Sequence, residues 1–376
     1  TKNKIILIFF SIIFSFYLIE GMITYNYFIK FSNKVEQSNS YDKRSPSEAY
    51  KAYKIKYNNL RYRIIPQQFW KNNSIDIMPL STISNSLIFN CNENGYYTMW
   101  NSDLYGFNNP KSAWDDIDYQ KILLLGDSFT AGECVNEEYN IAGNLRIKFD
   151  KKVINLGVGG NGPLSNYAIL KEYFHKANSK HVFWFHYEGN DFEDLYKELD
   201  NKILKQYYLS DDFSQYIVDK QNEIDKFLIN FLSNYEKKIG NQSLNIYFDW
   251  ERFLKLYSLR ELTIHSIFKK PHKIQKEFFE IILKSKKYVE KNDSKFYFVY
   301  LPQFHRYSSY YSFQNKENYE IIIKFLQSNN IEYIDINKQV FKNHKNPLDL
   351  FPFQSAGHYN EKGYSLVAKA IADFLK

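Results

Sequence analysis

The chain has 376 residues, 24% of them charged and 44% hydrophobic, with Lys+Arg 49 against Asp+Glu 42. These proportions exclude a wholly disordered chain and a collagen-like fibre, and a mean hydropathy of −0.51 excludes a polytopic membrane protein. A net charge of +7 over this length forms no basic stripe, and no nucleic-acid-binding motif accompanies it, so no nucleic-acid partner is expected.

Ile5 to Ile19 is an apolar run broken only by Ser11 and Ser15, with Lys2 and Lys4 before it. Extended to Met22 or Ile23, it approaches the ~20 residues that a span requires. No small-residue cleavage site follows. Residues 1–25 therefore read as a signal anchor, ahead of a cleaved signal peptide or a buried core helix. Glu20 would lie near the head groups, where a charge is tolerated. Lysines flank both ends, so charge alone leaves the orientation open. A single-pass protein with its C-terminal domain on the extracytoplasmic side is expected from the chemistry below. Residues 26–59 are polar and read as a tether, helical around Glu48 to Ile55. Residues 60–118 are turn-rich (Asn92-Glu93-Asn94-Gly95; Gly106 to Pro110) and read as an N-terminal extension of the domain that follows. Cys91 and Cys134 fit no metal-ligand spacing; a disulfide and two buried thiols both remain open.

From residue 119 the pattern is regular. Lys121–Leu125, Val153–Leu156, His181–Tyr187, Phe296–Leu301 and Ile331–Ile336 read as buried strands. Helical stretches fall between them: one through Ile141 to Phe149, one opened by Pro163, and a closing amphipathic helix over Glu361–Leu375. Strands alternating with helices imply an α/β fold with a parallel sheet covered on both faces. The stretch at about 193–290 interrupts the alternation and reads as a helical insertion.

Chemistry-bearing residues follow the strands. The first strand ends in Gly126-Asp127-Ser128, the second in Asn155 to Gly162, the third in Glu188-Gly189-Asn190-Asp191, and Gly357-His358-Tyr359-Asn360 precedes the last helix. Ligands of open parallel sheets bind beyond the carboxyl ends of the strands, so Ser128, Gly160, Asn190 and His358 converge on one edge. A serine hydroxyl needs an adjacent base to attack a carbonyl. The resulting oxyanion needs donors fixed in advance, and the Ser128 N–H, the Gly160 N–H and the Asn190 amide would supply them. Asp127 and Asp191 read as supporting residues.

This set of blocks resembles the SGNH/GDSL-type hydrolases, esterases and acetyltransferase-like proteins among them. Gly126-Asp127-Ser128 matches the first block, Asn155 through Gly160 the second, Gly189-Asn190-Asp191 the third, and His358 with Asn360 and Gly363 the last. The resemblance covers about 119–192 and 295–376. It implies a flavodoxin-like, three-layer, doubly wound sheet, with Ser128 as nucleophile and His358 as base, and it requires no cofactor and no metal. Two positions depart from the pattern: Glu188 stands where the third block has glycine, and Ser355 where the last block has the aspartate that orients the histidine. Asp349 is the substitute candidate. The expected function is a membrane-anchored esterase acting on an ester substrate, such as an acylated cell-envelope polysaccharide. The alternatives are an O-acyltransferase using the same site and a catalytically weak glycan-binding module. Gly157 to Gly162 also fits G-x-G-x-x-G, which keeps a dinucleotide-binding protein as a remote reading. Tyr207, Tyr208 and Trp250 of the insertion are candidates for stacking on sugars, with core packing the more ordinary role.

Overall fold

The computed structural model describes residues 2–37, 41–72, 75–115, 121–239, 250–263, 273–308 and 316–376. Helix α1 (Lys2–Gln37) is apolar and long enough over residues 2–26 to cross a membrane, and its side chains there are largely exposed. Helix α2 (Pro46–Lys56) starts with a capping box: the Ser45 side chain accepts from the Glu48 N–H, and the Glu48 carboxylate accepts from the Ser45 N–H. Its buried Ala49 and Tyr50 pack on a small sheet of β1 (Leu60–Tyr62), β2 (Leu87–Phe89) and β3 (Met99–Asn101). Within the stretch 26–59 read as a tether, the helix expected around Glu48 to Ile55 is present as α2. The apolar helix runs on to Gln37, and α2 is folded against the extension because Ala49 and Tyr50 bury on Leu60, Phe89 and Tyr97.

The main sheet follows. Its elements are β4 (Lys121–Leu125), α3 (Ser128–Ala131), α4 (Ile141–Phe149), β5 (Val153–Asn155), α5 (Pro163–Ala177), β6 (Ser179–Tyr187), α6 (Asp191–Glu198), α7 (Lys202–Leu209), α8 (Gln221–Ile239), α9 (Trp250–Leu254), α10 (Tyr257–Thr263), α11 (Lys276–Lys291), β7 (Lys295–Leu301), α12 (Lys316–Ser328), β8 (Glu332–Asp335) and α13 (Glu361–Phe374). The strands are parallel, in the order β5-β4-β6-β7-β8. Alternate residues along the central strands enter two separate cores, which explains why Ile122–Leu125, Val182–Phe185 and Phe296–Leu301 are apolar throughout. Leu123, Leu125, Val182, Trp184, Phe296 and Phe298 pack with residues of α5 and α11, such as Ala168 and Phe278. Ile122, Leu124, Phe183, Phe185, Val299 and Leu301 pack with residues of α4 and α13, such as Leu145 and Ile371. The first core also takes in Ile64, Phe69, Trp70 and Met78. The N-terminal extension is therefore built into the body of the fold.

Between β6 and β7 the described chain is helical from α6 to α11. The remainder of the expected insertion, at 240–249 and 264–272, lies outside the described residues. Glu20 of α1 is buried, and its carboxylate accepts from the N–H groups of Ser258 (2.9 Å) and Leu259 (2.7 Å) in the first turn of α10. This carboxylate, expected near the head groups, completes N–H groups at a helix end. The order places β4 between β5 and β6, so the chain leaves β4 to one side and returns on the other. Loops diverge at such a point, and the Ser128 loop lies there.

Candidate active site

Asp127 caps α3: its Oδ1 accepts from the Phe129 N–H at 2.9 Å. Ser128 is thereby the first helical residue rather than the cap, and its hydroxyl is left for other partners. The loop after β5 passes directly beneath α3 at Gly157, where a Cβ would collide with the Ala131 nitrogen. His358 arrives on the loop before α13. That loop is tied by Asn360, whose amide donates to the Asp349 carbonyl (2.8 Å) and whose oxygen accepts from the Gly363 N–H (3.0 Å).

The imidazole Nε2 of His358 lies 2.9 Å from Ser128 Oγ. On the other side of the ring, Nδ1 lies 3.0 Å from Glu93 Oε1, and the His358 backbone N–H donates to Glu93 Oε2 at 2.6 Å. One carboxylate thus holds both the ring and the backbone of this residue, which selects the tautomer with the proton on Nδ1 and leaves Nε2 to accept from Ser128. Burial opposes charging of His358, but the Glu93 charge and hydrogen bond outweigh it and raise the imidazole above its ordinary value. Burial likewise opposes the Glu93 carboxylate, and the His358 contacts outweigh it and hold the carboxyl below the usual range. The Phe129 ring, 4.8 Å from the imidazole, packs against its face.

Asp349 does not reach the histidine. Its Oδ1 accepts from Asn346 Nδ2 (2.9 Å) and Gln354 Nε2 (2.9 Å), so its side chain braces the preceding loop. The acid comes from the N-terminal extension instead. The Glu93 loop is held there covalently, because Cys91 and Cys134 form a disulfide between the extension and the segment after α3. Cys134 Sγ lies 3.6 Å from His358 Nδ1. A second carboxylate, Glu133, has its Oε2 3.9 Å from His358 Nε2 and is paired with Arg63, again from the extension.

Gly160, expected as an oxyanion donor, has φ +77°, a left-handed conformation that favours glycine. A Cβ there would also press on the Gln67 side chain. Asn190 Nδ2 donates to Asp194 Oδ2, and Gln67 Nε2 donates to Asp194 Oδ1 at 3.1 Å. The Asn190 amide is thereby held by one N–H and keeps a second for a ligand. Burial pushes the Asp194 carboxyl up to about 6.

No protein-family model and no curated protein sequence matches the chain. Solved structures do match. One is a lipase/acylhydrolase from Enterococcus faecalis, at 14% identity and TM-score 0.38 over 68% of this chain and 95% of that one. Another is a member of the lipolytic G-D-S-L family from Veillonella parvula, at 13% identity and TM-score 0.38 over 68% of this chain and 97% of that one. A third is the acetyl xylan esterase AlAXEase, at 14% identity and TM-score 0.35 over 68% and 100%. The chemistry rests on the side chains described here.

The remaining motif residues are structural. Asp191 Oδ2 accepts from the Tyr187 N–H (3.1 Å) and lies 2.8 Å from His186 Nδ1. Burial pushes the His186 imidazole below its ordinary value and the Asp191 carboxyl above its own. Burial, reinforced by Asp191, also raises Asp127 well above the usual range. Glu188, the departure in the third block, accepts from the Gln303 N–H (2.8 Å), from Tyr300 and from the guanidinium of Arg306, tying the end of β6 to that of β7. The glycine motif at 157–162 leads into α5, but its N-terminus is already filled. The buried Glu198 carboxylate accepts from the N–H groups of Gly162 (2.8 Å), Leu164 (2.9 Å) and Ser165 (3.0 Å). A pyrophosphate would need those same donors, so the dinucleotide reading fails at this point. Tyr207 is fully buried with its hydroxyl on Glu172, which places it in the core rather than on a sugar-binding face.

Proposed function

We propose that the chain is a serine esterase acting through Ser128, His358 and Glu93 on a flavodoxin-like, SGNH-type frame. The observation that carries this reading is the unbroken chain of contacts from Ser128 Oγ through both ring nitrogens of His358 to Glu93. His358 Nε2 takes the Ser128 proton as Oγ attacks the ester carbonyl. The oxyanion is received by the N–H groups of Ser128 and Gly160 and by the Asn190 amide. The imidazolium gives its proton to the leaving alkoxide. Water, deprotonated by the same nitrogen, then attacks the acyl carbon, and the acid leaves as the imidazolium returns that proton to Ser128 Oγ. Throughout, Glu93 stabilises the charged ring. Glu93 supplies the acid that the last block lacks at Ser355, which counts against the catalytically weak module.

An extracytoplasmic site, held at the membrane by α1, is supported by the apolar helix and by the disulfide, since disulfides persist in oxidising compartments. That setting favours an acylated envelope polysaccharide as substrate. The test is hydrolysis of 4-nitrophenyl acetate by the full chain in detergent. Wild type should turn over, and Ser128→Ala should fall to the rate of the blank. A wild type no faster than that variant overturns the reading.

A further inference from the structure

Helices α9 and α10 of the insertion are fastened to α1 inside its apolar span. The Tyr17 hydroxyl donates to the Leu254 carbonyl at 3.0 Å, and the Tyr17 ring lies 5.6 Å from that of Phe253. A Cβ on Gly21 would touch the same Phe253 ring at 3.9 Å. The buried Glu20 carboxylate takes the N–H groups of Ser258 and Leu259 at the start of α10. These attachments fix a depth. The apolar span is Lys2–Asn26, and at ~1.5 Å per residue Tyr17, Glu20 and Gly21 lie roughly 7–14 Å before its end. A helix lying in the plane of a membrane interface buries its apolar face by a similar distance, about 5–10 Å.

The side chains of the pair suit that depth. Trp250, Leu254 and Tyr257 are 66%, 61% and 38% exposed, and around Tyr17 and Glu20 the anchor helix itself exposes Phe14, Leu18 and Met22. Glu251 and Lys255 of the pair are exposed as well and bond to each other. Tryptophan and tyrosine gather at head-group level, where their rings meet acyl chains and their polar atoms meet water. The Glu20 pairing answers two costs at once. A carboxylate within an apolar span is expensive without partners, and so are the free N–H groups of a helix end away from water. Each supplies the other. We propose that α9 and α10 form a second membrane contact of the chain. They lie in the interfacial layer on the side where α1 ends, with Trp250 and Leu254 against the acyl chains and Glu20 holding the pair to α1. The occupant of this face is the lipid bilayer. The insertion between β6 and β7 thereby returns to the membrane, and the domain is attached both through α1 and through the insertion. The inference rests on the membrane reading of α1 and is independent of the esterase chemistry.

The test places the full chain in phosphatidylcholine vesicles whose acyl chains carry bromine near the head groups, near the methyl ends, or nowhere. Bromine quenches tryptophan only at close range. Of the five tryptophans, Trp70, Trp114 and Trp184 are buried and Trp100 is half-buried, so Trp250 reports on this face. Bromine near the head groups should dim wild type, and more than bromine near the methyl ends does. Trp250→Phe should lose at least two thirds of that dimming. Glu20→Leu keeps α1 apolar but cannot take the N–H groups of α10. It should lose at least half of the dimming while floating with the vesicles on a density gradient as wild type does. Equal emission in brominated and plain vesicles, or undiminished dimming in either variant, overturns the proposal. Flotation separates the two readings. A wild type that floats without being dimmed leaves the anchor standing and sinks the second contact, whereas one that does not float sinks both.

Discussion

Replacing Glu93 by glutamine isolates the contribution of the residue that completes the site. Two donors of His358, the ring Nδ1–H and the backbone N–H, end on its two carboxylate oxygens. Hydrogen bonds to a charged group are worth about 1.5–3 kcal/mol each. The amide retains one acceptor oxygen and no charge. If that oxygen keeps the backbone N–H, the amide NH2 faces Nδ1 and favours the tautomer whose proton points at Ser128. The loss is then about 3–5 kcal/mol, or roughly 10²- to 10⁴-fold in kcat at 1.36 kcal/mol per decade. The acid-to-amide change in the best-known serine triad costs about 10⁴. The pH profile gives an independent readout. The proposed mechanism needs His358 neutral as base, so kcat/KM should rise as pH passes its pKa, which Glu93 holds above the ordinary ~6.5 against the opposing effect of burial. Without that charge the opposing effect remains, so the inflection of Glu93→Gln should move to lower pH. The assay is 4-nitrophenyl acetate hydrolysis from pH 5 to 9, with Asp349→Asn as control, expected within about twofold of wild type. Activity of Glu93→Gln within tenfold of wild type, or an equal loss in Asp349→Asn, would refute the assignment of the acid.

Reduction of the disulfide, or the double change Cys91→Ala/Cys134→Ala, should free the Glu93 loop and lower kcat by tenfold or more. With a sequence separation of 43 it should also cost about 4 kcal/mol of stability, read by urea titration of the oxidised and reduced protein. Gly160→Ala forces an L side chain into the left-handed region at a cost of about 1–2 kcal/mol and pushes on Gln67, so kcat should fall while the melting temperature moves by only a few degrees. Glu198→Ala leaves three buried N–H groups at the start of α5 without an acceptor; at about 1–3 kcal/mol each it should be strongly destabilising, read by urea titration against wild type.

The strands were legible because a sheet buried on both faces demands apolar runs, and β4, β6 and β7 carry them over Ile122–Leu125, Val182–Phe185 and Phe296–Leu301. Ser128 and His358 were legible because each follows or precedes a regular element at the carboxyl edge of that sheet. Glu93 was not. It lies 265 residues before its partner, in a turn-rich segment, and nothing local marks it as an acid facing a histidine. The available signal was indirect. Cys91 stands two residues before Glu93 and Cys134 six after Ser128, so pairing the cysteines would have brought the acid beside the nucleophile. The same distance hid the second function of the extension, which read as decoration but carries Arg63, Gln67 and Glu93 into the site. Glu188 looked like a flaw in the third block because its partner Arg306 lies on the far side of the insertion. The glycine motif misled for a related reason: the carboxylate that fills the start of α5 comes from the end of α6.

The most direct measurement is peptide mapping after reaction with a fluorophosphonate probe. The account predicts one adduct, on Ser128, formed by wild type, absent from Ser128→Ala and slowed by orders of magnitude in Glu93→Gln. A wild-type chain that stays unlabelled, or that carries the adduct on another residue, would contradict it.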